Sequence, residues 1–284
     1  MYPTALIALD LSPAEAPMLD CLGDLRDLGV ARLILTHVIR VGYAQGAGFG
    51  HEDEYRAWLE NHAAPLRRAG MEVDIDIRAA GQPAAEILDA AAAHQADLIV
   101  IGSRGQSMLR GRFLGSTARE VIRRAEQPVW LEWINVAAEG APEACARACS
   151  GRLERLMLGT DLSPEADPAE AAAIDLAPGR RVDLVHVLTG PDRSRHPRWP
   201  AMARAALDSI AAEITAAGGT AETHLPEGKP SEAIARLAEA RDAPLIIVGK
   251  HGRSPVASIL IGSSAAALCE VAQRPVLMVP VAIG

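Results

Sequence analysis

Gly102, Gly105, Gly115 and Ser116 form a series of glycine, two residues, glycine, nine residues, glycine-serine, and Gly249, Gly252, Gly262 and Ser263 repeat it at the same spacing. Both series begin just after a run of aliphatic residues that reads as a strand. Glycines beyond a strand let the backbone turn sharply and approach an anion, and the N–H groups opening the next helix donate to phosphate. The chemistry implied is a phosphate cradle, with Ser116 and Ser263 placed to cap that helix or to offer a hydroxyl to the same phosphate. A pair of tight turns before a capped helix is the alternative, and duplication with both gaps intact disfavours chance.

Further landmarks recur in the same order in both halves. Leu9-Asp10-Leu11-Ser12-Pro13 returns as Thr160-Asp161-Leu162-Ser163-Pro164, Thr36-His37-Val38 as Val185-His186-Val187, and Gly81-Gln82-Pro83 as Gly228-Lys229-Pro230. Gln127-Pro128-Val129 returns as Arg274-Pro275-Val276. Such a repeat makes the chain two copies of one unit.

Positioning these residues requires alternating strands and helices. Short apolar runs alternate with Ala-rich segments of helical period, the pattern of βαβ units and a parallel sheet. Strands are expected at 4–10, 32–39, 71–78, 97–102 and 128–133, and again at 154–161, 182–188, 220–225, 244–249 and 275–281. Asp97–Ile101 and Leu245–Val248 are apolar enough to be central, covered on both faces. Pro83 and Pro230 should open helices over 84–94 and 231–241. The fold class is therefore α/β, with two tandem five-stranded parallel sheets in Rossmann-like α/β/α sandwiches: domains over 1–136 and 153–284, and a linker over 137–152. Residues 42–56 and 190–200 are read as loops at the carboxyl ends of strands, where ligands of such sheets bind.

Composition sets bounds. The chain has 284 residues, 49% hydrophobic and 23% charged, with a formal net charge of −8. That balance argues against broad nucleic-acid contact, and no apolar run approaches the roughly 18–20 residues of a membrane span. The N-terminus lacks the pattern of a secretory signal, so a cytoplasmic protein is expected. Four cysteines, Cys21, Cys145, Cys149 and Cys269, are too few for a disulfide scaffold and are read as reduced thiols. Gly228-Lys229 is no P-loop, because Pro230 stands where a Ser or Thr is required. No nucleophile elbow, H-E-x-x-H helix or zinc spacing is present, so no catalytic residue and no metal ligand is assigned. His37 and His186 are read as packed strand histidines.

The paired G-x2-G-x9-G-S motifs make the chain resemble a tandem universal stress protein, over nearly its whole length. The resemblance implies an adenine nucleotide alpha hydrolase-like fold and binding of ATP, AMP or ADP, with Mg²⁺ as a companion of a triphosphate. It places the nucleotide on Gly102, Arg104, Gly105, Gly115, Ser116 and Thr117 in the first half, and on Gly249, Gly252, Gly262, Ser263 and Ser264 in the second. It adds Asp10 and Asp161 against adenine and ribose, and Val38 and Val187 near the base. The residues alone leave Asp10 and Asp161 open between ligand contact and a turn and helix cap. Arg104, Arg110 and Arg112 surround the first loop, and Lys250, His251 and Arg253 the second, so the first suits a more highly charged nucleotide unless these side chains face solvent.

The function implied is a nucleotide-responsive stress or signalling protein. A slow ATPase, or a partner-binding protein with vestigial sites, are the alternatives. The expected partners are the adenine nucleotide itself, an intramolecular pseudo-dimer of the two domains and a homodimer, with neither nucleic acid nor membrane.

Overall fold

The computed structural model describes residues 1–12, 15, 18–19, 21–40, 52–103, 114–136, 142–144, 153–190, 192, 197–252 and 261–281. The chain divides into two compact units, Met1–Cys149 and Ser150–Gly284.

In the first unit, strands β1 (Thr4–Leu9), β2 (Arg32–Arg40), β3 (Glu72–Ala80), β4 (Leu98–Gly102) and β5 (Val129–Glu132) run in the order β5-β4-β1-β2-β3. Every neighbouring pair is parallel. Ala5–Leu9 and Leu98–Ile101 are buried throughout, as expected of strands covered on both faces. Edge strand β3 is less covered, with Val73 buried and Glu72 exposed. The helices are α1 (Glu52–Arg68), α2 (Pro83–Ala93) and α3 (Ser116–Arg124). Helix α2 starts at Pro83, where the missing N–H would have had no intrahelical acceptor. Helix α1 takes in residues 52–56, which were expected in a loop. Its first turn carries Glu52, Asp53 and Glu54, negative charges that the helix N-terminus favours and that loop composition had masked.

After β5 the chain continues into β6 (Ile134–Val136), which pairs antiparallel with β7 (Pro142–Ala144). The stretch expected to be linker over 137–152 thus contains a strand. Ile134 is fully buried and its N–H donates to Ser103 Oγ at 3.0 Å, so the segment stays tied to the end of β4.

The second unit repeats the plan. Strands β8 (Arg155–Gly159), β9 (Arg181–Val185), β10 (Thr220–His224), β11 (Leu245–Gly249) and β12 (Val276–Val279) run in the order β12-β11-β8-β9-β10, all parallel. Its helices are α4 (Asp167–Leu176), α5 (Trp199–Ala216), α6 (Pro230–Ala240) and α7 (Ser263–Val271). The close of the predicted 190–200 loop is helical from Trp199, with Pro200 in the first turn. Among the described residues no helix is long and apolar enough to cross a membrane.

Cys269 is a free buried thiol, its pKa pushed up to about 12 by burial. Cys21 is disulfide-bonded, against the expectation of reduced thiols. Sequence separation does not reveal which thiols meet in space, and Cys145 and Cys149 lie outside the described residues.

Leu6 is fully buried at the centre of the first sheet. Leu6→Ala is expected to lower unfolding free energy by about 3 kcal/mol in urea titrations, through lost transfer energy plus the cavity left behind.

Candidate functional site

In each unit the chain leaves the first strand toward one side of the sheet and returns on the other, so the neighbours at the reversal are β1 and β4, or β8 and β11. Helices diverge there, which leaves a crevice at the carboxyl ends of the strands. Asp10 and Gly102 stand at one reversal, Asp161 and Gly249 at the other.

The two acids sit in the same turn. Leu11 and Leu162 both adopt φ 59°, the left-handed region that aliphatic residues rarely enter. Asp10 Oδ1 accepts the Ser12 N–H at 2.9 Å, and Asp161 Oδ1 accepts the Ser163 N–H at 3.1 Å and its hydroxyl at 2.6 Å. One oxygen of each acid therefore makes the turn, as the capping alternative anticipated. The other oxygen of Asp161 does something further. A β-carbon at Gly252 would collide with Asp161 Oδ2, so the carboxylate occupies the space a side chain would need. The first-strand acid and the middle glycine of the motif thus pack directly against each other, although 91 positions separate 161 from 252 in sequence.

The remaining glycines close the loop. The Lys250 N–H donates to Val279 O, and the Gly262 N–H donates to Lys250 O, each at 2.8 Å. A β-carbon at Gly249 would be 3.0 Å from His251 O, and one at Gly262 3.3 Å from Lys250 O and 3.8 Å from Gly252 N. Gly262 is the N-cap of α7 and makes no side-chain cap. Ser263 and Ser264 are the first helical residues and are exposed. In the first unit the Gly115 N–H donates to Ser103 O at 2.9 Å, and Gly115 caps α3 in the same extended conformation, ahead of exposed Ser116 and half-buried Thr117. The expectation that Ser116 or Ser263 caps the helix is corrected. The preceding glycine holds that position, and the serines lie one residue inside. Arg104, Gly105, Arg110, Arg112 and Arg253 fall outside the described residues.

Val38 and Val187 are buried beside this turn. The histidines before them tie the second strand to the end of the first: His37 Nδ1–H donates to Leu9 O at 2.9 Å, and His186 Nδ1–H donates to Thr160 O at 3.0 Å. Burial holds His37 below its ordinary pKa, so it stays neutral at pH 7. Both are packed as expected, His37 within β2 and His186 just past the end of β9.

Three supporting residues escaped the sequence reading: Glu15, Thr160 in its structural role, and Glu170. The Glu15 carboxyl, only 3% exposed, accepts the Asp10 N–H at 2.5 Å and the Leu11 N–H at 2.8 Å. In the second unit Thr160 Oγ1 accepts the Leu162 N–H at 2.9 Å and donates to Glu170 at 2.5 Å. Glu15 follows Asp10 by five positions and Glu170 follows Asp161 by nine, so no repeated offset betrays them.

Among the described residues one cluster elsewhere has metal-ligand composition: Asp183, Glu222 and His224, on β9 and β10. It is already charge-balanced. Asp183 Oδ1 accepts from His224 Nε2 at 2.9 Å and Arg241 Nε at 3.1 Å, Arg155 lies 3.9 Å from Oδ2, and Arg241 also pairs with Glu222. Lys229 pairs with Glu232 at 3.1 Å on the exposed start of α6.

A duplicated, doubly wound parallel α/β protein with a glycine-built loop at each sheet reversal is the class that fold and site define. The chain belongs to the universal stress protein family, whose model matches residues 1–131 and 152–280. A universal stress protein of Mycolicibacterium smegmatis is 31% identical over 221 residues, covering 74% of this chain and 69% of the relative. One of Mycobacterium tuberculosis is 26% identical over 299 residues, covering 96% and 95%. The crystal structure of a universal stress protein from Archaeoglobus fulgidus shares the fold, with TM-score 0.73, 22% identity, and coverage of 98% of this chain and 96% of that one.

Burial, and next the Asp10 charge, raises the Glu15 pKa to about 9. A group raised in the folded state contributes stability that is complete below its unfolded pKa of about 4.5 and is lost as pH climbs toward 9. Glu15→Gln is neutral at every pH. Its stability relative to the native chain, followed by urea melts, is expected to increase from pH 5 to pH 8.

Proposed function

We propose that each half holds an adenine nucleotide, ATP or a lower phosphate, at the crevice where its sheet reverses direction, and that the chain is a nucleotide-responsive stress or signalling protein. In this reading the phosphates lie on the glycine loop and the N–H groups opening α3 or α7, whose positive dipole ends attract them. Mg²⁺ offsets the charge of a triphosphate. Asp10 and Asp161 accept from ribose hydroxyls or the adenine amine, and Val38 and Val187 pack near the base.

The observation that carries the reading is the contact of Asp161 with Gly252 beside the start of α7, which has no side-chain cap. It brings an acceptor for the nucleoside and donors for its phosphates into one crevice. The family resemblance and the duplication of the motif lend the same support to the first half.

Gly252→Ala tests it. The added methyl cannot coexist with the present Asp161 carboxylate, so the loop or the acid must shift. Isothermal titration with Mg-ATP is expected to show the second-half affinity falling by at least about tenfold, the loss of roughly one charge-assisted hydrogen bond. Thermal unfolding should change little. Unchanged ATP binding in the variant would contradict the reading for this half.

A further inference from the structure

Leu162 is an aliphatic residue held at φ 59°, a costly conformation that persists only where neighbouring groups enforce it. Three polar contacts enforce it here. Asp161 Oδ1 accepts the Ser163 N–H, Thr160 Oγ1 accepts the Leu162 N–H, and the Thr160 hydroxyl donates in turn to Glu170 on α4. The last contact orients the Thr160 hydroxyl. A hydroxyl whose proton points to Glu170 presents a lone pair to Leu162. Thr160 is buried, with 6% exposure, and Glu170 is half-buried, so the chain Glu170–Thr160–Leu162 is largely shielded from competing water.

The first half meets the same constraint with different residues. Leu9 stands where Thr160 stands and offers no hydroxyl, while Leu11 adopts the same φ. There a buried carboxyl, Glu15, takes the Asp10 and Leu11 N–H groups directly. Two unrelated arrangements that support one strained turn identify the turn, rather than either set of contacts, as the feature being held.

We propose that Glu170, acting through the Thr160 hydroxyl, is a positioning residue for the second site: it fixes the turn that seats the Asp161 carboxylate against Gly252. The proposal rests on the nucleotide reading above. Neither Glu170 nor Thr160 need touch the ligand. Burial raises the Glu170 pKa, and the Thr160 hydroxyl that donates to its carboxyl opposes that rise.

The experiment is Mg-ATP titration of the full chain by calorimetry, with Gly252→Ala as the reference for a weakened second half. Thr160→Val keeps the shape and deletes the hydroxyl, and Glu170→Leu removes the acceptor. Each is expected to weaken second-half binding about tenfold, and the double variant no further, because both interrupt one chain of hydrogen bonds. Thr160→Ser and Glu170→Gln retain the donor and the acceptor and are expected to bind as the native chain does. A role confined to folding would not give this pattern of rescue at unchanged melting temperature. If Thr160→Val does not fold, the comparison of Glu170→Leu with Glu170→Gln decides. Native-like binding by both Thr160→Val and Glu170→Leu overturns the positioning role alone. A native chain indistinguishable from Gly252→Ala overturns the nucleotide reading of the second half and the positioning role with it.

Discussion

A central strand covered by helices on both faces carries few polar side chains except at its ends, and the chemistry of this chain follows from that constraint. Ala5–Leu9, Leu98–Ile101, Leu156–Gly159 and Leu245–Val248 are buried without interruption. Hydrogen-bonding groups are excluded from them and collect where they stop, at Asp10, Gly102, Asp161 and Gly249. Because the sheet also reverses its winding at these strands, the helices diverge where the polar groups gather. Burial and topology together thus place an acid and a glycine loop at the same crevice in each half.

Holding them there requires local strain and close approach. Leu11 and Leu162 take a left-handed conformation so that the chain can leave the sheet within one residue of the acid. A β-carbon at Gly252 would displace the Asp161 carboxylate from its present place. Gly115 and Gly262 end the loops as N-caps without side chains, so the first-turn N–H groups of α3 and α7 have no side-chain cap. Serine hydroxyls at the capping positions would have competed with an anion for those same donors. Each of these choices sacrifices local stability for access, the pattern expected at a functional site rather than in a scaffold.

The strands, the proline-started helices and the reversal points were legible in the sequence because each depends on local composition repeated twice. A continuous aliphatic run needs no partner to be recognised: Leu245–Val248 reads as a buried strand on its own. Features that depend on tertiary contact were not legible. Residues 137–152 read as linker because nothing local in Pro142–Ala144 announces a strand, and its pairing with Ile134–Val136 supplies the order. Ser116 and Ser263 resemble caps, but cap position depends on where the preceding glycine turns, which spacing does not set. Glu15 and Glu170 were invisible for the same reason, being recruited at different offsets in the two halves.

Native mass spectrometry of the purified chain, with and without added Mg-ATP, tests whether the two crevices hold adenine nucleotides. Added mass matching one or two adenine nucleotides per chain, lost on denaturation, is expected. A chain that carries no nucleotide on purification and takes up none from excess Mg-ATP while folded would contradict it.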